Sequence, residues 1–184
     1  MNAPTTSPTT ETITLAGGCF WCLEAVYLRV DGVTAVESGY SNGRTSHPTY
    51  QQVCDGDTGH AEVVRVQFDP SRIGLREILE IFFTIHDPTQ LNRQGNDVGT
   101  QYRSGIYFHA PGQERVAREM LAEVQQVHRD RVVTELQPVA HYWPAEDYHQ
   151  RYFDRHPDQG YCVFVVAPKV EKFRRTFAQR VRAA

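Results

Sequence analysis

The sequence predicts an α+β fold, a single-domain two-layer sandwich in which a mixed sheet is flanked by helices. Segments with the two-residue alternation of strands and segments with helical spacing follow one another, without the strict strand–helix repeat of a barrel. The length of 184 residues, of which 40% are hydrophobic, suits one domain with a full core. Residues 1–10, MNAPTTSPTT, predict a disordered tail, and residues 11–184 the folded domain.

The first elements surround a pair of glycines. Residues 12–15 alternate as a half-buried strand does, and the apolar residues of 20–30 recur at helical spacing. Residues 17–18, both glycine, supply the turn between them. Two further strands are predicted over 33–40 and 60–68, separated by a loop rich in turn-forming residues.

The second half of the chain continues the mixed order of strands and helices. In sequence, it predicts a helix from 75 to before Pro88, a long polar loop over 87–99, a strand over 102–108, a helix over 111–127, a strand over 132–139, a short helix over 145–153, a strand over 161–167 and a last helix over 169–182. The strand over 161–167 is apolar on both faces, which is typical of a fully buried central strand.

The charge balance argues against some classes of partner. A formal net charge of -3 gives no reason to expect binding to nucleic acid or to an anionic membrane, and no stretch is long and apolar enough to span a bilayer. The first ten residues lack the apolar run and basic start of a signal peptide. With four cysteines at irregular spacing, these features predict a cytoplasmic protein.

Two cysteines three residues apart, Cys19 and Cys22, stand where the first strand gives way to the first helix. At the start of a helix, unpaired backbone N–H groups and the positive end of the helix dipole stabilise an anion. We therefore expect a lowered pKa for the Cys19 thiol, which would make it a nucleophile. At this spacing Cβ atoms lie about 5–6 Å apart, so a small adjustment of the first turn would allow a disulfide.

The CxxC pattern is compatible with thiol redox chemistry, with half of a zinc site and with chance packing. Zinc would need two more ligands, but Cys54 and Cys162 stand alone and no second CxxC or HxxxH appears, so no metal is expected. The eight histidines are scattered, and core or surface roles suit each of them. Redox chemistry is therefore the favoured interpretation.

Glu62 is the second informative residue, because alternation along 60–68 places it on the same face as Val64, Val66 and Phe68. Desolvation on an apolar face should raise the pKa of its carboxyl and leave it protonated near neutral pH as a proton donor. Alternatively, the carboxylate pairs with a buried arginine or lies in water at a frayed strand end.

Aromatic and loop residues complete the candidates. Phe20 and Trp21 lie between the thiols, and because adjacent side chains point in different directions, at least one should form an apolar wall beside the nucleophile. Tyr50 and Tyr102 follow loops, and Asp97 lies in the long polar loop. By pattern alone, each of these three is an ordinary surface or half-buried residue.

Five strings in order, GCFWC, HPTY, GHAEVV, QGNDVGTQYRS and AEDYHQ, resemble the A-type peptide methionine sulfoxide reductases, in their GCFWC variant. The resemblance runs from about residue 12 to near the C-terminus. It implies thiol-dependent reduction of methionine S-sulfoxide, free or in oxidised proteins, as a repair reaction under oxidative stress. It also implies no metal or organic cofactor and thioredoxin or another dithiol as reductant; we expect a monomer.

The resemblance also implies the role of each candidate. Cys19 would attack sulfur and become a sulfenic acid, while Glu62 would give a proton or hydrogen bond to the sulfoxide oxygen. The substrate would be bound by five residues, with Phe20 and Trp21 at the methyl group, Tyr50 and Tyr102 at the oxygen and Asp97 in support.

The chain departs from one pattern of this family. Many members have Gly at the position of Cys22 and keep resolving cysteines in a C-terminal tail, whereas no cysteine follows Cys162 here. Cys22 and Cys162 thus compete for the resolving role; we favour Cys22, because a cysteine in a buried strand is usually inert packing. Cys54 is interpreted as structural.

Two other functions are compatible with the CxxC pattern. One is a general CxxC thiol–disulfide oxidoreductase, in which Glu62 would have no role, and the other is a zinc-stabilised binding module.

Overall fold

The computed structural model describes residues 9–184, so most of the tail predicted for 1–10 lies outside the described residues. In the described part, eight strands form two sheets: β1 (Glu11–Ala16), β2 (Val33–Ser41), β3 (Ala61–Phe68), β4 (Arg93–Gln94), β5 (Asp97–Val98), β6 (Gly105–Phe108), β7 (Glu135–Pro138) and β8 (Trp143–Pro144). The main sheet has the order β7-β6-β1-β3-β2-β8, and β4 pairs with β5. In the main sheet only β6 and β7 run parallel, so this sheet is mixed, as predicted.

The α-helices of residues 9–184 are α1 (Phe20–Tyr27), α2 (Tyr50–Cys54), α3 (Leu75–Ile85), α4 (Pro111–Val127), α5 (Tyr152–Arg155) and α6 (Ala167–Thr176). The first of them is buried around its whole circumference, with only Trp21 partly exposed. Such a helix must lie inside the molecule, and α1 packs against β2, β3, α5 and α6. The α+β class with flanking helices is confirmed. Both cysteines of the CxxC motif belong to the main hydrophobic core, Cys19 directly before α1 and Cys22 within it.

The prediction of a buried strand over 161–167 is wrong. Cys162–Val166 forms a π-helical turn that continues directly into α6. Its inward side chains, Cys162 and Val166, are four residues apart, whereas Val163 and Phe164 between them are 43% and 80% exposed. The periodicity of a short apolar run cannot separate strand from helix, and tertiary packing overrides the strand propensity of its valines.

The single helix predicted over 145–153 is also wrong. The segment divides into a 3-10 turn, Asp147–His149, and α5, and the Arg151 between them has a φ of 54° in the left-handed region. Three features were not predicted: α2, which Thr49 caps, the β4–β5 hairpin within the long polar loop, and the short edge strand β8. These segments supply Tyr50, Asp97 and His149 to the site described next. None of the described helices is long and apolar enough to cross a membrane.

Candidate active site

A glycine turn places Cys19 at the start of α1. Gly18 has a φ of 89°, and a Cβ atom there would lie 2.8 Å from the side chain of Gln94, so only glycine fits. Cys19 is the N-cap residue, with extended backbone and 8% of its surface exposed, as the sequence predicted for its position. The thiol therefore lies at the mouth of the helix with a narrow opening to solvent.

The pKa of the Cys19 thiol is raised, so the prediction of a lowered pKa is wrong for the ligand-free protein. Burial is the largest cause, followed by a hydrogen bond with Cys22 and the charge of Glu62. The backbone N–H of Trp21, at the helix start, acts in the expected direction but is outweighed. The effect of the helix terminus can be predicted from the local sequence, whereas the desolvation of the thiol depends on the tertiary fold. The sequence therefore predicted only the smaller of the two effects on the pKa of Cys19.

The second thiol of the motif shows the opposite shift. A hydrogen bond from Cys19 lowers the pKa of Cys22 against the opposing effect of burial, and the charge of Lys169 on α6 and a hydrogen bond with Tyr161 act in the same downward direction. Because the pKa of Cys22 is lowered and that of Cys19 is raised, Cys22 is the thiol that becomes the thiolate when the pair loses one proton. Cys22 has no exposed surface, so it cannot meet the substrate first.

Glu62 lies on β3 with 1% of its surface exposed, on the buried face that strand alternation predicted. Its Oε1 accepts the backbone N–H of Phe20 at 3.1 Å, which places the carboxyl one residue from the nucleophile. Burial raises its pKa from 4.5 to about 8, although the Phe20 hydrogen bond opposes the shift. None of the ion pairs among residues 9–184 involves Glu62, so the alternative of a paired carboxylate does not hold.

Glu62→Gln is expected to stabilise the fold at neutral pH. Because the folded protein binds the Glu62 proton more tightly than the unfolded chain does, ionisation destabilises wild type increasingly from about pH 4.5 to about pH 8 and by a constant amount above that. The advantage of the variant should be small at about pH 4 and on the order of 3 kcal/mol at pH 7. Denaturant unfolding across this range measures it.

Glu37→Gln is the matched control for this measurement. Glu37 is a partly exposed carboxylate on the neighbouring strand β2, paired with Arg65 at 3.3 Å. This variant controls for the loss of a carboxyl from the same sheet at a position that is not buried. A Glu62→Gln variant with the same pH dependence of stability as wild type would show that the carboxyl is not desolvated.

The two tyrosines and the aspartate of the resemblance lie around the carboxyl of Glu62. Tyr50 begins α2 and Tyr102 ends the 3-10 turn Thr100–Tyr102, and both are half-buried. Burial first, together with the charge of Glu62, raises the pKa of both hydroxyls, so both remain hydrogen-bond donors at neutral pH. Asp97 begins β5 and accepts the Tyr161 hydroxyl at 2.5 Å. Loops far apart in sequence thus converge on one carboxyl.

Phe20 and Trp21, here called the aromatic wall, occupy different environments. Phe20 is fully buried, whereas Trp21 is partly exposed and its ring stacks on Tyr152 with centroids 3.6 Å apart. The Trp21 indole Nε1–H donates to Nδ1 of His149 at 3.0 Å. The expectation that two adjacent aromatics point in different directions holds, and Trp21 is the one that faces outward.

Sequence reasoning gave no role to several residues that shape this site. Tyr161 donates to Asp97 and packs against the Trp21 ring, and His149 touches both members of the aromatic wall. The buried carboxyl of Glu24 accepts the Arg151 N–H at 2.7 Å, which fixes the chain just before Tyr152. The only sequence signal for His149 was its place in the AEDYHQ string, because a single histidine carries no pattern of its own.

All four cysteines are free. Cys162 is fully buried and lies near enough to Cys22 that, after burial itself, the charge of Cys22 raises its pKa. Cys54, at the end of α2, is partly buried. It interacts with the Tyr50 hydroxyl and with the charge of Glu62, so it lies beside the candidate site. Residues 9–184 contain no group of three or more His, Cys, Asp or Glu side chains that could hold a metal ion.

A thiol pair beside a carboxyl that keeps its proton near neutral pH can reduce an oxidised substrate, because the thiols supply two electrons and the carboxyl protonates the departing oxygen. The fold and site therefore define a thiol-dependent reductase.

Comparison with known proteins agrees with this class. The family model described as peptide methionine sulfoxide reductase matches residues 11–181, and the chain belongs to this family. Peptide methionine sulfoxide reductase MsrA from Polynucleobacter asymbioticus is 55% identical over 172 residues, 92% of this chain and 90% of that protein. The structure of reduced Mxr1 from Saccharomyces cerevisiae has a TM-score of 0.78 and 38% identity, over 83% of this chain and 89% of that one.

A second yeast structure shows Mxr1 in complex with Trx2. It has a TM-score of 0.55 and 27% identity, over 81% of this chain and 91% of that chain. The resemblance stated from the five strings is thus confirmed, and with it the assignment of the chain as an enzyme that reduces methionine sulfoxide.

Proposed function

We propose that this enzyme reduces the S epimer of methionine sulfoxide, free or in oxidised proteins, with Cys19 as nucleophile, Glu62 as proton donor and Cys22 as resolving thiol. The observation that carries the proposal is the buried carboxyl of Glu62, held by the Phe20 N–H one residue from the nucleophile. A sulfoxide oxygen is a poor leaving group until it is protonated, so a proton must be held where the thiol attacks.

In the first step, Cys19 attacks the sulfoxide sulfur and passes its proton to the Cys22 thiolate, the group that already accepts its hydrogen bond. Glu62 transfers its own proton to the sulfoxide oxygen. The attack forms a bond between the two sulfur atoms. This bond and the sulfur–oxygen bond of the substrate then break as the oxygen moves to the Cys19 sulfur, so methionine leaves and Cys19 becomes a sulfenic acid. The substrate sulfur gains two electrons, and the Cys19 sulfur loses them.

The surrounding side chains orient the substrate. The aromatic wall receives the methyl group, and the neutral hydroxyls of Tyr50 and Tyr102 donate hydrogen bonds to the oxygen. Asp97, held by Tyr161, supports the same site. These donors assist departure of the oxygen, because they lie in a partly desolvated site where hydrogen bonds to developing charge are strong.

In the second step, the Cys22 thiol condenses with the sulfenic acid, which releases water and leaves a Cys19–Cys22 disulfide. A dithiol protein then reduces this disulfide by exchange. We propose thioredoxin as that partner, supported by the complex of the yeast neighbour Mxr1 with Trx2. No metal or organic cofactor is needed, because both electrons of each turnover come from the thiol pair.

The test is a single-turnover assay with the separated epimers, followed by steady state with dithiothreitol. We expect the enzyme to reduce the S epimer and leave the R epimer. Glu62→Gln should slow the chemical step for the S epimer by about 10²-fold or more, because an amide cannot readily transfer a proton. Glu37→Gln should keep the wild-type rate.

Two outcomes would contradict the proposal. Equal use of both epimers would remove the assigned stereochemistry. A Glu62→Gln variant as fast as wild type at neutral pH would leave Glu62 without a task, as in a general thiol–disulfide oxidoreductase.

A further inference from the structure

His149 ends the 3-10 turn Asp147–His149 and is buried, with 1% of its surface exposed. The mechanism above gives it no part, yet it lies against the aromatic wall. Its ring centroid is 5.0 Å from that of Phe20 and 5.7 Å from that of Trp21. The ring of Tyr50 is 4.5 Å away on another side. His149 thus touches three of the side chains proposed to hold the substrate.

The hydrogen bond with Trp21 defines the tautomer of His149. An indole N–H can only donate, so Nδ1 of His149 must be the unprotonated nitrogen that accepts it at 3.0 Å. The neutral ring therefore carries its proton on Nε2. Burial lowers the pKa of His149 against the opposing charge of Glu146, which keeps the ring neutral and Nδ1 available as an acceptor.

The other contacts of the Trp21 indole are less directional. Tyr152 covers one face as a parallel stack, with planes at 4°, and the Tyr161 ring meets it edge-on at 5.8 Å. A stack fixes the plane of the indole but allows the ring to slide and rotate within that plane. The hydrogen bond to His149 fixes the remaining rotation, because it ties one edge atom to one acceptor.

We propose that His149 is a positioning residue that determines specificity: by accepting the Trp21 indole N–H at Nδ1, it holds the aromatic wall where a methyl group fits and a larger S-alkyl group does not. This inference rests on the proposed function, in which the wall receives the methyl group. One extra methylene in a hydrophobic pocket changes kcat/KM by about 10–200-fold. A wall that can rotate loses much of that discrimination.

The second ring nitrogen provides an internal test. Nε2 is buried and has no hydrogen-bond partner among residues 9–184. If His149 had a different role in the reaction, it would therefore use Nε2 and not Nδ1. Asparagine places an amide oxygen near the position of Nδ1, whereas glutamine places its amide near Nε2. Phenylalanine keeps a ring in the cavity and removes both nitrogens. The three variants therefore separate the two nitrogens from the packing of the ring.

The experiment measures kcat/KM for the S epimers of methionine sulfoxide and ethionine sulfoxide in wild type, His149→Asn, His149→Gln and His149→Phe. The ratio of methyl to ethyl substrate should fall about fivefold or more in the Phe and Gln variants and stay within about twofold of wild type in the Asn variant. In a Trp21→Phe background, which lacks the indole N–H, His149→Phe should cause no further fall.

A spectroscopic readout tests the same bond without substrate. The chain has two tryptophans, and the other, Trp143, has a buried Nε1 with no partner among residues 9–184, so its ¹⁵N–¹H indole peak is the internal reference. The Trp21 peak should lose its hydrogen-bonded shift and its protection from solvent exchange in His149→Phe and His149→Gln, and keep both in His149→Asn.

The outcomes separate this inference from the proposed function. If the enzyme failed to reduce sulfoxides, the indole spectrum would still report whether His149 holds Trp21. If the peak shifts in His149→Phe and substrate selectivity does not change, the specificity role is wrong while the proposed function stands. Rescue of selectivity by Gln instead of Asn, or by both equally, would overturn the assignment to Nδ1.

Discussion

Cys19→Ser is expected to abolish the reduction of methionine sulfoxide, lowering the single-turnover rate by at least about 10³-fold, because a hydroxyl is a much weaker nucleophile than a thiol and a thiolate such as Cys22 is too weak a base to deprotonate it. The fold should remain, since serine differs by one atom at a helix N-cap where it is a favoured residue. The measurement is methionine formed per enzyme in the absence of reductant, alongside thermal unfolding.

Cys54→Ser is the matched control for this variant. Cys54 is partly exposed on α2, and a serine there can keep a hydrogen bond to the Tyr50 hydroxyl, so most of the activity should survive. Substantial activity in Cys19→Ser protein free of wild type would contradict the assignment. It would point to Cys22, the thiol whose pKa is lowered, as the true nucleophile and would require α1 to open, because Cys22 is fully buried.

The site residues whose positions could be predicted from the sequence are those whose placement depends on the pattern of a single strand or helix. Strand alternation assigns Glu62 to a buried face, and the glycine turn with the helical spacing that follows it places Cys19 at a helix start. Both positions are as predicted. The pKa of Cys19 was not predictable in the same way, because its largest determinant is burial by elements distant in sequence.

The residues that assemble the site across the fold carried no signal of their own. His149 lies 128 positions from Trp21 and Tyr161 lies 64 positions from Asp97, and no periodicity links such pairs. Tyr50, Tyr102 and Asp97 became candidates only through the resemblance. Local patterning thus located the nucleophile and the acid, whereas the groups that orient substrate depend on loop conformations that sequence pattern does not determine.

The strand predicted over 161–167 bears directly on the recycling of the enzyme. The interpretation of Cys162 as inert packing depends on that strand, but the segment is a π-helical turn beside α1. Single π-helical turns are frequent at functional sites. Cys162 and Cys22 are both fully buried, so burial does not separate them. The preference for Cys22 now rests on its pairing with Cys19, because each of these two thiols shifts the pKa of the other.

Cys22→Ser is expected to separate the two halves of the reaction. The single-turnover yield of methionine should survive, because reduction of the sulfoxide is complete before the second thiol acts. Turnover with thioredoxin should fall by at least about 10²-fold, because the sulfenic acid on Cys19 is no longer converted to a disulfide that exchange can open. The chemical step itself should slow modestly, since the thiolate that accepts the Cys19 proton is also lost.

The matched control is Cys162→Ser, and the measurement is a thiol count. Wild type exposed to excess methionine sulfoxide without reductant should lose two titratable thiols out of four, and Cys162→Ser should lose the same two. Peptide mapping should then find a Cys19–Cys22 bridge. A Cys19–Cys162 bridge would overturn the assignment. Since Cys162 is fully buried, that bridge would mean that the Cys162–Val166 turn moves toward the mouth of α1 during each catalytic cycle.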